Sequence, residues 1–483
     1  MVQATTSPAI KNAPVLGLAE GNGQFSNIQL VAALLGVPWV LKRLLPLVNR
    51  GGFWTYVFLL IITGWPTAIS YWYIMSRIGA RKNTKVPLPG RPITDYIDFK
   101  DPELTAQYGV PGKKIPIQVA HDAYFDGKLD FKGDVLDVLE QRHDWASFAF
   151  TFEHFKYVLT RLIPDVLFHT QSQDEDQVTE HYNRGNDFYN WFLGPRMIYT
   201  SGVIRKPDAE ETLEELQDNK LELVCQKLEL TPGDRMLDIG CGWGALVAHA
   251  SKNYNADVTG ITIAGEQVKY CNDRLAQNGL TQEQARVLHL DYRDIPADKT
   301  FNKISCLEMA EHVGIRRYPA FLKQLYNHLD DDGLVVFQVA GIRPSWQYED
   351  LTWGLFMNKY VFPGADASCS LGWVVSQLES AGFEIKNVDV LGVHYSATLY
   401  RWYLNWLKNK DSVEGKYGKR WFRVWSFFLA WSTIASRQGS ASVFQITMHK
   451  NLNAFHRVSG IKSHFGIYTG HEGGEGKGFT PVV

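Results

Sequence analysis

The sequence predicts an α/β fold: a doubly wound, mostly parallel sheet behind one or two membrane segments and a small helical region. Three observations carry this. From Glu211 onward, short apolar runs alternate with amphipathic helical patterns. The run "GFWTYVFLLIITGWPTAISYWYIM", Gly52 to Met75, holds 24 residues and no charge, enough to cross a hydrocarbon core of ~30 Å. A glycine-rich loop, "LDIGCGWGA", stands where the first strand of the alternating series gives way to its first helix.

The elements follow in chain order. Residues 1–27 read as a polar tail. Residues 28–76 read as a membrane anchor of one or two helices. In its first half, "IQLVAALLGVPWVLKRLLPLV", Lys42 and Arg43 interrupt the apolar run, so a second span and an interfacial helix both fit. In its second half, Trp54 and Tyr56 near one end and Tyr71, Trp72 and Tyr73 near the other form aromatic belts, and Pro66 can kink the span without forbidding it. Arg77, Arg81, Lys82 and Lys85 follow directly and place the remainder of the chain in the cytosol. The expected location is therefore an integral membrane protein of the endoplasmic reticulum with a cytosolic catalytic domain. Residues 77–115, rich in Pro and Gly, read as a linker. Residues 116–200 read as a helical, lipid-facing region, with a polar loop at Gln171 to Gln177.

Residues 201–455 carry the alternating series. "EETLEELQDNKLELVCQKL" is a helix with i,i+4 charge support. "RMLDIG", "DVTGITI", "RVLHL", "NKISCLEM" and "GLVVFQVAG" are strands; "WGALVAHASKNY", "AGEQVKYCNDRLAQNG" and "RRYPAFLKQLYNHL" are the helices between them. "GWVVSQLESAGF" is a further helix before the strand "EIKNVDVLGV". "ASVFQITMHK" alternates and reads as an edge strand. "RWYLNWLKNK" and "RWFRVWSFFLAW" read as amphipathic helices covering the sheet, and their Trp density also suits an acyl-chain tunnel. The glycine-rich tail, 456–483, reads as disordered.

Composition narrows the function. A net charge near −2 gives nucleic acid no global attraction. Five cysteines, odd in number and without CxxC spacing, argue against a disulfide framework or a zinc site and fit a reducing compartment. The 15 Trp, 22 Tyr and 26 Phe suit apolar ligands or a membrane interface.

The glycine loop names a cofactor. Gly240, Gly242 and Gly244 let backbone approach a ligand closely. A dinucleotide fingerprint, G-x-G-x-x-G, sets pyrophosphate on the helix N-terminus. Here the third glycine comes one residue early, and Asp238 stands two residues before the first. That carboxylate would repel a pyrophosphate and suits the ammonium of a methionine moiety. D-x-G-x-G after a first strand is the S-adenosylmethionine (SAM) pattern, and the fold becomes a class I SAM-methyltransferase. Where many such folds end the second strand in an acidic residue for the ribose, this chain has "GITIAGEQ". Thr262 and Gln267 then supply the polar contacts, or Glu266 turns inward.

Together "LDIGCGWG", "GITIAGEQ", "DYRD" (Asp291 to Asp294), "EHVG" (Glu311 to Gly314) and "NKYVFPG" (Asn358 to Gly364) resemble the cyclopropane-fatty-acid synthase family, from about Val178 to Lys450. The membrane segments and "YFDGKLDFKGDVLDVLEQRHDW" resemble one branch of it, the fungal sphingolipid C-9 methyltransferases. The resemblance implies methylation of an unactivated alkene in a dry site, through a carbocation that loses a proton to a placed base. It also implies a bound bicarbonate as that base, held by a Glu, a His, a Tyr and a backbone amide near a Cys. Carried over one position at a time, the Glu falls on Glu311, the Tyr on Tyr395, the Cys on Ser201 and the His on Gln338. A second family Cys falls on Ser432. Bicarbonate and a direct role for His312 both remain open; Glu308 receives no role.

The implied SAM contacts are Tyr199, Thr200, Leu237, Asp238, Gly240, Cys241, Gly242, Trp243, Gly244, Thr262, Gln267, Asp291 and Tyr292, and the implied catalytic group is Glu311, His312, Tyr395, Gln338 and Ser201. No further ligands stand at metal spacing around the Glu-His pair. The expected activity is SAM-dependent C-methylation at C-9 of a sphingoid-base Δ8 alkene in ceramide or glucosylceramide. Cyclopropane synthesis on phospholipid acyl chains and a non-catalytic SAM-binding scaffold are the alternatives.

Overall fold

The computed structural model describes residues 6–14, 26–79, 90–164, 185–344, 347–365 and 367–453. Arg81, Lys82 and Lys85, the polar run 171–177 and the glycine-rich tail lie outside the described residues. Two units are distinguished: Met1–Asn12 with Asp165–Pro344 and Met357–Val483, and Ala13–Pro164 with Ser345–Phe356.

The first unit is built on a seven-stranded sheet. Its strands are β1 (Arg235–Ile239), β2 (Asp257–Thr262), β3 (Ala285–His289), β4 (Phe301–Leu307), β5 (Leu329–Ile342), β6 (Phe383–Val390) and β7 (Ala441–Lys450), in the spatial order β6-β7-β5-β4-β1-β2-β3. β1 to β5 are parallel; β7 is antiparallel to both β5 and β6. The helices that cover it are α1 (Leu213–Lys227), α2 (Ala245–Tyr254), α3 (Gly265–Gln277), α4 (Tyr318–His328), α5 (Leu371–Ser380), α6 (Gly392–Lys408) and α7 (Lys419–Arg437). Met236, Leu237, Asp238 and Ile239 are all buried, as they must be in a strand covered on both faces. Local chemistry starts and stops these helices. Thr212 and Glu215 form a capping box at the head of α1, with Glu215 N–H donating to Thr212 Oγ1 (3.2 Å) and Thr212 N–H to Glu215 Oε2 (2.8 Å). Just beyond α3, Gly279 takes the left-handed conformation, φ 74°.

Chain order reverses between β4 and β1. The crevice outside the carboxyl ends of those two strands is where such a sheet binds ligands.

"ASVFQITMHK" is not an edge strand. As β7 it lies between β5 and β6, and the edges are β6 and β3. Its alternation misleads because the polar residues Gln445 and Thr447 are as buried as their apolar neighbours. Gln445 is satisfied inside the sheet, its Nε2 donating to Gln338 Oε1 across from it (2.7 Å). The tryptophans of α6 and α7 pack against each other and against Phe188 and Phe192. Trp402, Trp406, Trp425 and Trp431 are fully buried, with Phe188–Trp425 and Phe192–Trp425 ring centroids 4.9 and 5.0 Å apart.

The second unit contains two packed helices, Asn27–Leu44 and Phe53–Ile78, joined by the Tyr56 hydroxyl to Leu35 O (2.9 Å) and the Tyr71 hydroxyl to Ser26 O (3.1 Å). Among the described residues, Phe53–Ile78 is the helix long and apolar enough to cross a membrane. The region expected as a linker holds a strand, Ile97–Phe99, and a helix, Pro102–Tyr108; the strand pairs antiparallel with Leu129–Phe131. Arg142 Nε meets Glu349 Oε1 at 2.5 Å in a fully buried ion pair. Burial pushes the Glu349 carboxyl up, but the charges and hydrogen bonds of Arg142 and His143 together outweigh it and hold the group far below the usual range.

Because Trp425 touches four aromatic rings at the centre of the α6–α7 cover, Trp425→Ala is expected to destabilise the first unit by about 3–5 kcal/mol. Thermal unfolding of the detergent-solubilised chain measures it; an unchanged midpoint contradicts the packing described.

Candidate active site

β1 ends at Ile239, and Gly240 turns the chain with φ 73°. A Cβ on Gly240 would lie 2.6 Å from Met309 Cγ, so only glycine lets the loops after β1 and β4 approach this closely. Gly242, φ 54°, faces open space on the cofactor side. Gly244 instead serves helix packing, since a Cβ there would lie 2.9 Å from Cys271 Sγ, where α2 begins against α3.

A cavity opens at this point, walled by six segments, one of them α1 at Lys220 and Leu221. Tyr199 and Thr200 come from the segment before α1, and Asp238 through Trp243 from the glycine loop. Thr262 and Gln267 come from the end of β2 and the start of α3, Asp291, Tyr292 and Arg293 from the turn after β3, and Glu308, Met309 and His312 from the turn after β4. Eleven of the thirteen expected SAM contacts thus share one cavity. The exceptions are Gly244 and Leu237, which faces the opposite core beside Ile304.

Electrostatics suit a charged methionine moiety. Burial pushes the Asp238 carboxyl up to about 6, opposed by Ser305, whose Oγ donates to Asp238 Oδ1 (2.6 Å). Thr262 Oγ1 donates to Gln267 Oε1 (2.7 Å), while Glu266 is exposed and does not turn inward. Arg293 chelates Asp291, with Nε to Oδ1 at 2.8 Å. Lys220 of α1, which motif reading passes over, also lines the cavity. Its Nζ donates to Thr200 Oγ1 (2.8 Å), and burial pulls it down to about 8. An acidic acceptor for an ammonium, glycine backbone without intervening side chains and polar pairs on two walls fit SAM.

The expected catalytic residues separate into two groups. Ser201, Gln338 and Tyr395 meet on Glu308. The Ser201 backbone N–H donates to Glu308 Oε1 (2.9 Å), Gln338 Nε2 to the same oxygen (2.6 Å), and Tyr395 also hydrogen-bonds the carboxylate. The Ser201 hydroxyl turns away to Gly202 O (2.9 Å). Glu311 stands apart. Its Oε1 accepts from the Ala340 N–H (2.5 Å), its Oε2 is buried with no hydrogen-bond partner, and it does not line the cavity. Burial first, and the Glu308 charge second, push Glu311 up to about 8, so it is mainly a neutral acid at pH 7. His312 does line the cavity, and burial pulls its imidazole down to about 4. Ser432 is buried, its Oγ 3.8 Å from Met357 Sδ.

The family model described as mycolic acid cyclopropane synthetase matches residues 169–446. The chain belongs to this family. It is 55% identical to "Sphingolipid C9-methyltransferase 2" of Gibberella zeae over 97% of its own length and 89% of the relative's. It is 52% identical to "Sphingolipid C9-methyltransferase" of Komagataella phaffii, covering 96% of each chain. Among solved structures, the cyclopropane synthase MmaA2 from Mycobacterium tuberculosis matches 57% of this chain and 98% of its own, at 26% identity and TM-score 0.53. The mycolic acid cyclopropane synthase CmaA1 complexed with SAH and CTAB matches equally well. As a member of this family the chain is a SAM-dependent methyltransferase.

Two outcomes are expected. Asp238→Asn removes a charge-assisted contact and weakens SAM binding about 10- to 100-fold; calorimetry reads it, and unchanged affinity removes Asp238 from the cofactor site. Glu311→Gln tests the buried acid. A carboxyl raised from about 4.5 to about 8 by folding binds more protons in the native state. Stability is therefore fully present below pH ~4.5 and falls as pH rises towards 8. The variant should melt higher than the parent at pH 8 and not at pH 5; equal melting at both sinks the assignment.

Proposed function

We propose that the chain transfers the methyl group of SAM to C-9 at the Δ8 alkene of a sphingoid base in ceramide or glucosylceramide. One observation carries the reading: a single cavity joins the SAM loop, at Asp238, Gly240 and Gly242, to the Glu308–His312 turn after β4. Relatives 52–55% identical over almost their whole length, named sphingolipid C9-methyltransferases, support the choice of substrate. SAM supplies an electrophilic methyl on a sulfonium. Asp238, Thr262, Gln267 and Asp291 hold and orient it, with Tyr199, Thr200, Trp243 and Tyr292 shaping its pocket. Tyr199 belongs to an aromatic cluster with Tyr189, Phe192, Phe362 and Trp402, at centroid distances of 5.5 to 5.9 Å. Such rings keep water out and offer negative faces to a cation formed beside them. Ser201, Gln338, Tyr395, Glu311 and His312 frame the proton-handling end. The Phe53–Ile78 helix anchors the chain in the endoplasmic reticulum membrane, with the methyltransferase unit in the cytosol, where a membrane lipid can reach the site.

The test supplies membranes containing the full chain with SAM labelled in its methyl group and identifies the labelled lipid by mass spectrometry. Label at C-9 of a sphingoid base is the expected result. Label in phospholipid cyclopropane rings refutes the substrate, and no labelled lipid refutes the activity.

A further inference from the structure

The family resemblance implies a bicarbonate ion held by four positions, three of which are Ser201, Gln338 and Tyr395. In this chain those three already have an anion. The Ser201 amide and Gln338 Nε2 both donate to Glu308 Oε1, at 2.9 and 2.6 Å, and Tyr395 hydrogen-bonds the same carboxylate. The residues present do not fit a bicarbonate, because its donors are taken by a side chain.

The backbone and the surrounding amides point the same way. Glu308 has φ 54°, a left-handed conformation that costs a side chain about 1 kcal/mol and that glycine adopts freely. Left-handed non-glycine residues persist where the surroundings enforce them. Gln338 is fixed for donation: its Oε1 accepts from Gln445 Nε2 (2.7 Å), and Gln445 Oε1 accepts from Lys227 Nζ (2.6 Å), so the Gln338 NH2 is left for Glu308. Glu308 also lines the cavity that holds Asp238, and Glu311 does not.

We infer that the Glu308 carboxylate replaces the family's bicarbonate and is the base that removes the substrate proton. This rests on the proposed C-9 methylation. After the methyl has joined C-9 the positive charge lies at C-8, and a hydride moves with its pair from C-9 to C-8, leaving a tertiary cation at C-9. A C-8–H bonding pair then becomes the C-8=C-9 π bond. The proton passes to Glu308, which becomes a carboxylic acid and returns it to solvent. Glu311, already protonated, does not compete. Burial pushes the Glu308 carboxyl above its usual range, and the three donors with the nearby Lys220 oppose that shift without cancelling it, which suits a group that must take up a proton.

The test uses the full chain in bicarbonate-free buffer with labelled SAM, SAM affinity by calorimetry, and [13C]bicarbonate binding by NMR. The parent should keep its activity without bicarbonate and bind none. Glu308→Gln should lose at least about 100-fold in rate, the scale of a lost general base, while still binding SAM. Glu308→Gly, whose backbone suits the site, should lose as much, bind [13C]bicarbonate, and recover activity when bicarbonate is added. A parent that needs or binds bicarbonate, an active Glu308→Gln, or a Glu308→Gly that binds SAM but not bicarbonate overturns the inference. If the parent labels no sphingolipid, the proposed substrate fails, while bicarbonate binding still decides the question at Glu308.

Discussion

A half-buried carboxylate at the end of β4 sets the terms for the structure around it. An ionised group without water needs several donors with fixed directions. The segment before α1 supplies the Ser201 amide, β5 supplies Gln338 and α6 supplies Tyr395. Directing Gln338 requires an amide partner on the next strand, and that strand is β7. Gln445 in turn leans on Lys227 of α1, which is paired with Asp389 on β6. A polar line therefore runs from the catalytic end to the sheet edge. The insertion of β7 between β5 and β6 is what puts Gln445 opposite Gln338.

Two neighbouring carboxylates within one turn cannot both be ionised cheaply in a buried site, and their surroundings divide them. Glu308 collects the donors. Glu311 has one backbone N–H and the repulsion of Glu308, and so keeps its proton. His312, half-buried and hard to charge, is a weak base at neutral pH. The Glu-His pair that stands out in the sequence thus becomes a neutral acid and a neutral imidazole beside the carboxyl better solvated by its donors, three positions before Glu311.

Most of the fold is legible in the sequence because its signals are periodic. Buried parallel strands and capped amphipathic helices repeat at fixed intervals, and Asp238 with its three glycines announces the cofactor loop. β7 reads as an edge because its alternation records a buried polar network rather than solvent on one side. The short strands and helix after residue 90 are hidden among Pro and Gly. Glu308 escapes notice because nothing in the letters "EMAEHVG" states a backbone φ, and that torsion decides which glutamate turns towards the cavity. Lys220 is equally silent: inside α1 it reads as one more charge on an amphipathic helix.

The chemistry asks for two opposed environments a few ångströms apart. The alkene end must be dry, and on the proposed function the cavity's Tyr199, backed by the Phe192 and Trp402 rings, serves that end. The base must stay charged, which dry surroundings discourage. A diffusing anion would have to be captured and desolvated within this site. A carboxylate on the chain enters it during folding, when its burial is offset once by the hydrogen bonds that Ser201, Gln338 and Tyr395 make to it. Its position relative to the substrate is then set by the same sheet that positions the methyl donor. Base placement decides whether a proton leaves the new methyl, closing a ring, or the lipid backbone, leaving a branched alkene. A base fixed by β4, β5 and the α6 tyrosine makes that choice a property of the fold.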